Sequence, residues 1–193
     1  MKRFVLNFHV KISKNKEKVM KNQRNATIRL TMTALFMAFN IALSSFGVPV
    51  PGGHLYLCDV AICLASILLG PFEAFAVGGI GSFLGDMIFY PLPMFVSLVT
   101  HGLQAAVISL ISHHALKHNP KLASGIGVAV GAVIMVTGYT LGKIFVYSTL
   151  EYAILKLPYE IAQGALGAIL GWVLCWKCGI HKAFLRFVSE PNE

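Results

Sequence analysis

The residues able to do chemistry are few, and several fall in spaced pairs. His101 and Gln104 stand three apart, as do Glu160 and Gln163, while Tyr139 and Lys143 stand four apart. On helices each of these pairs shares a face. Asp59, Asp86 and Thr100 interrupt otherwise apolar stretches, and His54 and Tyr56 follow the loop Pro49-Val50-Pro51-Gly52-Gly53. Rings, a few charges and amides in this mix suit a pocket that orients a polar organic ligand. A metal set of His54, Asp59 and His101 is an alternative, although ligation needs a tighter cluster than spacing demonstrates. Ser82 with His101 suggests a hydrolase pair, but Ser82 lies in a glycine-rich run nearer the middle of its segment. Gly138-Tyr139-Thr140-Leu141-Gly142-Lys143-Ile144 is one residue short of a phosphate-binding loop and ends in Ile where Ser or Thr is required. Cys175-x-x-Cys178 with His181 supplies one ligand pair where a zinc site needs two, so these residues read as packing.

The elements that position these groups are not those of a soluble domain. Of 193 residues 56% are hydrophobic and 12% charged, with a mean hydropathy of +0.70, against about 25% charged in soluble proteins. The apolar excess must face lipid, which excludes a cytosolic enzyme, a disulfide-stapled secreted domain and a disordered chain. Apolar runs cover 30–48, 55–69, 72–90, 94–111, 123–147 and 158–175, near the roughly 20 residues of a membrane-crossing helix. The second is short and has a re-entrant alternative, yet Gly70-Pro71 reads as a tight hairpin into the third. The expectation is an all-α integral membrane protein, a six-transmembrane-helix bundle.

The net charge of +8 marks topology and not a nucleic-acid surface. Of the 16 Lys and Arg, all but Lys143 and Lys156 precede the first run, lie between the fourth and fifth (Lys117, Lys121) or follow the sixth (Lys177, Lys182, Arg186). Six crossings put those regions on one side, so both termini are expected in the cytoplasm. The chain divides into a basic tail (1–29), a membrane domain (30–178) and a C-terminal tail (179–193). Residues 1–19 read either as a flexible basic tail or as dispensable, since Met20-Lys21-Asn22-Gln23 is a sufficient leader. No signal peptide precedes the first run, and Asn25-Ala26-Thr27 matches a glycosylation site by chance.

Lipid gives helices no hydrophobic reason to associate, so close approach rests on small residues at helical spacing. Gly81 and Gly85, then Gly127, Gly131, Gly138 and Gly142, then Gly167 and Gly171 each mark one face, read as intramolecular packing. Ala34, Ala38 and Ala42 repeat every fourth residue on the first helix, and their choice between packing and a partner stays open.

With the termini inside, parity sets the depth of every polar residue. His54, Tyr56, Asp59, Asp86, Thr100, His101, Gln104, Tyr139, Lys143, Glu160 and Gln163 then fall at the outer ends of their runs, as substrate-binding residues of one pocket. Lys143 and Glu160 match in depth and compensate one another, since an unpaired charge there costs about 3 kcal/mol. Tyr90, Tyr147 and Lys156 read as headgroup-level residues.

Val48-Pro49-Val50-Pro51-Gly52-Gly53, Tyr56-Leu57-Cys58-Asp59-Val60, Leu68-Leu69-Gly70-Pro71, Gly78-Gly79-Ile80-Gly81-Ser82 and Asp86 come in an order that resembles a known family. So do Thr100-His101-Gly102-Leu103-Gln104, Gly138-Tyr139 and Leu157-Pro158 through Gln163-Gly164. The pattern is similar to the substrate-binding (S) components of energy-coupling factor (ECF) vitamin transporters, in the riboflavin, hydroxymethylpyrimidine and pyridoxine branch. The resemblance covers about residues 21–175. It implies a six-helix bundle that binds a water-soluble vitamin and works with a transmembrane coupling subunit and two cytoplasmic ATPases, which use the ATP. No cofactor is expected in this chain, nor an enzyme activity. The family's Ala-x-x-x-Ala motif, matched by Ala34, Ala38 and Ala42, implies the coupling-subunit interface. Departures fall at the pocket: a Gly is usual at Cys58, acids at Gln104 and Lys143, a Lys at His101 and an Asn at Glu160. A stand-alone small-solute carrier and a metal-ion transport subunit are the alternatives, ahead of a membrane enzyme.

Overall fold

The computed structural model describes residues 2–51, 53–116 and 118–189, with the side chains of 23–188. Gly52, Lys117 and the end of the C-terminal tail lie outside the described residues, as do the side chains of the basic leader. Helix α1 (Lys2–Ser44) leads through strands β1 (Gly47–Val50) and β2 (Gly53–Tyr56) to α2 (Cys58–Leu68). Then follow α3 (Pro71–Phe89), α4 (Met94–His114), α5 (Pro120–Tyr147), α6 (Leu150–Trp176) and α7 (Ile180–Ser189). Within α1 the stretch Gln23–Ser44, and the whole of α3, α4, α5 and α6, are long and apolar enough to cross a membrane.

The second run departs from expectation. Leu55 and Tyr56 belong to β2, and α2 has 11 residues, about 16 Å at 1.5 Å per residue, roughly half a bilayer core. Every residue of α2 is buried, as suits a helix apolar all round and ringed by others. It runs in the reverse direction between two parallel neighbours. Arg29 pairs with Glu73, Asn40 with Ser82, and Ser44 faces Gly85, so α1 and α3 share a direction.

The fold is also not wholly helical. Val48 leaves the first run for a two-stranded antiparallel hairpin that pairs Gly47 with Tyr56 and Pro49 with His54. Proline is tolerated there because both strands are edges. The sixth helix starts at Leu150, not at Pro158. Thr149 caps it by accepting from Tyr152 N (3.4 Å), and Pro158 sits inside. Proline at a run's apparent start imitates the common first-turn proline, while in a bundle neighbours can satisfy the backbone groups it frees.

Glycines set the helix separations. A Cβ on Gly131 would meet Ile108 at 2.5 Å, and one on Gly138 would meet Thr100 at 2.6 Å, so the glycine face of α5 seats α4. Gly167 and Gly171 receive Asp59 and Cys63 of α2, and Gly81 and Gly85 receive Asn40 and Ser44 of α1. Inside α3, residues Ala76–Ile80 form a π-helical turn, in which Gly78 would carry a Cβ 2.5 Å from the His101 backbone oxygen. Backbone cannot step aside as a side-chain end can. Gly78→Ala should therefore lower stability by about 1–3 kcal/mol or more. Gly125→Ala, whose Cβ would find only Trp172 Nε1 at 3.6 Å, should be neutral or stabilise by up to about 1 kcal/mol through helix propensity. Thermal unfolding in detergent compares the two.

Candidate functional site

At the end of the bundle that carries the hairpin, a cavity of about 220 Å³ is enclosed by all six long-axis helices and β2. His54, Tyr56, Asp86, His101, Tyr139, Lys143, Glu160 and Gln163 line it, as sequence reasoning expected. Asp59, Thr100 and Gln104 do not. Thr100 packs against Gly138 in the seam between α4 and α5. Asp59 and Gln104 lie one layer beneath the cavity floor.

That layer is a connected polar network. Gln104 Nε2 donates to Asp59 Oδ1 (2.9 Å) and Gln163 Nε2 donates to Asp59 Oδ2 (2.7 Å). Tyr56 N–H donates to Gln163 Oε1 (2.9 Å), and His101 Nδ1 lies 2.6 Å from Gln104 Oε1. An amide oxygen only accepts, so Nδ1 carries the proton in this contact. Asp59 is 1% exposed and sits in the first turn of α2, where the helix dipole also favours negative charge. Cys58, Asp59 and His101 place ligand atoms within 4.8 Å of one another, while His54 stands apart on the hairpin. Both Asp59 oxygens and His101 Nδ1 are already engaged, so a metal ion there would have to displace these hydrogen bonds.

The charged groups of the wall are arranged in two sets. Lys143 Nζ forms an ion pair with Glu160 Oε1, both side chains being buried, and lies 5.4 Å from the centre of the Tyr139 ring. Glu160 Oε2 is buried with no partner. Opposite, Ser97 Oγ donates to Asp86 Oδ2 and lies 2.5 Å from Tyr139 Oη. With the serine proton given to Asp86, the tyrosine hydroxyl donates to Ser97. Lys156 Nζ donates to His54 O (2.6 Å), tying α6 to the hairpin.

Tyr90, Tyr147 and Lys156, read from sequence as headgroup-level residues, line the cavity instead. Tyr152, Ser44, Cys58, Ser82 and Met135 join them unforeseen. The signal was present as longer stripes: Ser82, Asp86 and Tyr90 recur every fourth residue, as do Tyr139, Lys143 and Tyr147, and Tyr152, Lys156 and Glu160. Starting the sixth helix at Pro158 hid the last of these. Five of the six tyrosines in the chain face this space. Asn40, which donates to Val77 O (2.8 Å) and Ser82 Oγ (3.1 Å), is a further buried polar residue missed in the first run.

A multipass helical bundle whose polar groups gather around one enclosed end cavity defines a solute-binding membrane subunit. The chain matches the ECF-type riboflavin transporter, S component, family over residues 24–178 and belongs to that family, which is one of transporters and not of enzymes. It is also similar to a protein of Pyrococcus woesei described as "Uncharacterized protein in gap 3'region". The two are 29% identical over 126 residues, which make up 64% of this chain and 82% of that protein.

Two outcomes test the network and the pair. Asp59→Asn turns one acceptor into a donor facing an amide donor, and should cost about 1–3 kcal/mol of stability, with faster hydrogen exchange at the Tyr56 amide. Lys143→Ala leaves Glu160 charged and alone and should cost about 3–5 kcal/mol, whereas Lys143→Ala with Glu160→Ala should recover part of that loss. Denaturation of the three variants in detergent reads both.

Proposed function

We propose that this chain is the substrate-specific subunit of an ECF-type importer, binding a water-soluble vitamin or vitamin precursor for ATP-driven uptake. In this reading α2 together with the hairpin completes a sixth crossing of a bacterial plasma membrane. Both termini lie in the cytoplasm, and the cavity opens outward, opposite the basic side. The partners are a transmembrane coupling subunit and two cytoplasmic ATPases, where the ATP is used, and this chain holds no cofactor of its own. The observation that carries the reading is the cavity: walled by five tyrosines and provided with carboxylate acceptors at Asp86 and Glu160.

Its contents suggest the substrate. Lys143 is neutralised by Glu160, which leaves Lys156, bonded to the His54 backbone oxygen beside the hairpin, as the cation of the wall. The remaining acceptors and the aromatic walls suit a flat heteroaromatic ring bearing donors. A volume of about 220 Å³ is below the roughly 300–1,000 Å³ of common ligand sites, which favours a single ring of the pyridoxine or hydroxymethylpyrimidine type. The name of the family favours riboflavin. Mass spectrometry of the ligand released from the purified protein separates these: a one-ring heteroaromatic is expected, and a flavin would reverse the size argument.

The coupling face is supported by exposure. Ala34, Ala38 and Ala42 all point away from the bundle, flanked by Leu35 (60% exposed) and Phe39 (45%), on a helix otherwise held to α2 and α3. Changing Ala34 and Ala38 to Leu should abolish co-purification of the ATPase subunits while leaving ligand binding within about two-fold, because no alanine of the stripe lines the cavity. Ligand uptake with no ATPase partner at all would overturn the importer reading in favour of a stand-alone carrier.

A further inference from the structure

Helix α7 takes no part in the cavity and lies at the opposite end of the bundle. It begins after Gly179, whose φ of +77° favours glycine and turns the chain sharply at the end of α6. At about 100° per residue, Ile180, Phe184 and Val188 share one arc. Ile180 and Phe184 pack against the bundle core. Ala183 and Phe187 occupy the adjoining arc and are exposed, Phe187 by 58%. Lys182 stands across the helix from the core. Lys177 and Lys182 are both exposed and have no ion-pair partner among the described residues, and no Asp or Glu occurs from Lys177 to Ser189.

The depth of this helix is set by its neighbours. Trp172 Nε1 donates to Lys121 O (3.0 Å) and Trp176 Nε1 donates to Ser124 Oγ (2.9 Å), while Lys121 Nζ lies 5.9 Å from the Trp176 ring centre. Paired Trp and Lys at the ends of two crossing helices are the pattern of the membrane–water boundary. His181 stacks on Trp176 at 4.3 Å between ring centres, and fastens the start of α7 at that level. Burial, and secondarily His113, lower the His181 pKa, so the imidazole is neutral near pH 7 and the lysines supply the charge.

We propose that α7 lies in the plane of the membrane surface and is a binding site for anionic phospholipid. The Ala183 and Phe187 flank faces the acyl boundary, and Lys177 and Lys182 meet headgroup phosphates. An amphipathic helix with a basic polar face and aromatics on the other binds in this manner. Lys182 lies on that face, and Lys177 stands just before the helix at the end of α6. Its position directly after a membrane-crossing helix brings it to the bilayer without any docking step. The inference concerns the lipid surface alone and is independent of which solute the cavity holds.

The test uses the full chain in nanodiscs of phosphatidylcholine alone and of phosphatidylcholine with phosphatidylglycerol, read by hydrogen exchange. The α7 amides should exchange at least about ten-fold more slowly in the anionic discs, with α3 to α6 unchanged. High salt should erase the difference. Each lysine near an anionic surface contributes roughly five-fold, so Lys177→Glu with Lys182→Glu should remove the lipid dependence. Unchanged protection of α3 to α6 shows that this variant remains folded. Phe187→Ser should speed exchange in both discs. Equal α7 exchange of the wild-type chain in the two discs would overturn the proposal. So would protection that appears only when coupling and ATPase subunits are added, which would assign the helix to a protein partner.

Discussion

A carboxylate buried in an apolar bundle has to be held, and the way Asp59 is held organises the rest of the site. No Lys or Arg among the described residues pairs with it, and His101 Nδ1, 3.8 Å from Oδ1, gives its proton to Gln104 Oε1. Two amide donors, one from α4 and one from α6, take its two oxygens. Each amide then spends its own oxygen on a second element, Gln104 on the His101 ring and Gln163 on the backbone of β2. The charge thereby fixes the angle between two helices, the orientation of a cavity residue and the seat of the hairpin. Networks of this kind are rigid when every member is satisfied. The approach of α6 to Asp59 is possible only because Gly167 has no Cβ, which would fall 2.3 Å from that of Asp59.

The Lys143 and Glu160 pair works differently, because it is incomplete. One carboxylate oxygen is spent on the lysine and the other is buried without a partner, a costly state in a low-dielectric site. Both members of the pair are departures from what the family resemblance implies, which is an acid at 143 and an Asn at 160. Taken singly, Lys143 reverses the sign of the expected charge and Glu160 adds a charge where none is expected. Taken together they neutralise one another and leave an oriented acceptor.

Much of this arrangement was legible in residue order. Alternation of apolar runs with basic connections gave the helices, and parity alone put His101, Glu160, Lys143 and Asp86 at one end. The glycine faces of α5 and α6 were readable as helix seams, since a four-residue repeat of Gly in lipid has few other uses. What failed was local. Leu55 and Tyr56 are as compatible with a strand as with a helix, because a short apolar run carries no period of its own. Pro158 hid eight residues of α6, and with them the stripe that aims Tyr152 and Lys156 inward. Thr100, Gln104 and Asp59 were placed at the right depth, but depth along a helix says nothing of whether a side chain meets the cavity or the layer behind it.

The glycine seams have a mechanical corollary. Helices that touch through backbone have no compliant side-chain layer between them to absorb sliding or tilting. The bundle is consequently stiff along the α2–α6, α3–α4 and α4–α5 contacts, and strain applied at one end is transmitted to the other. The hairpin has no such seam. It is fastened by the Lys156 Nζ bond to His54 O and the Tyr56 N–H bond to Gln163, and joined to the helices through short links at Ser45–Phe46 and Leu57. Compliance is thus concentrated in one small part of the molecule, and that part is the cover of the cavity.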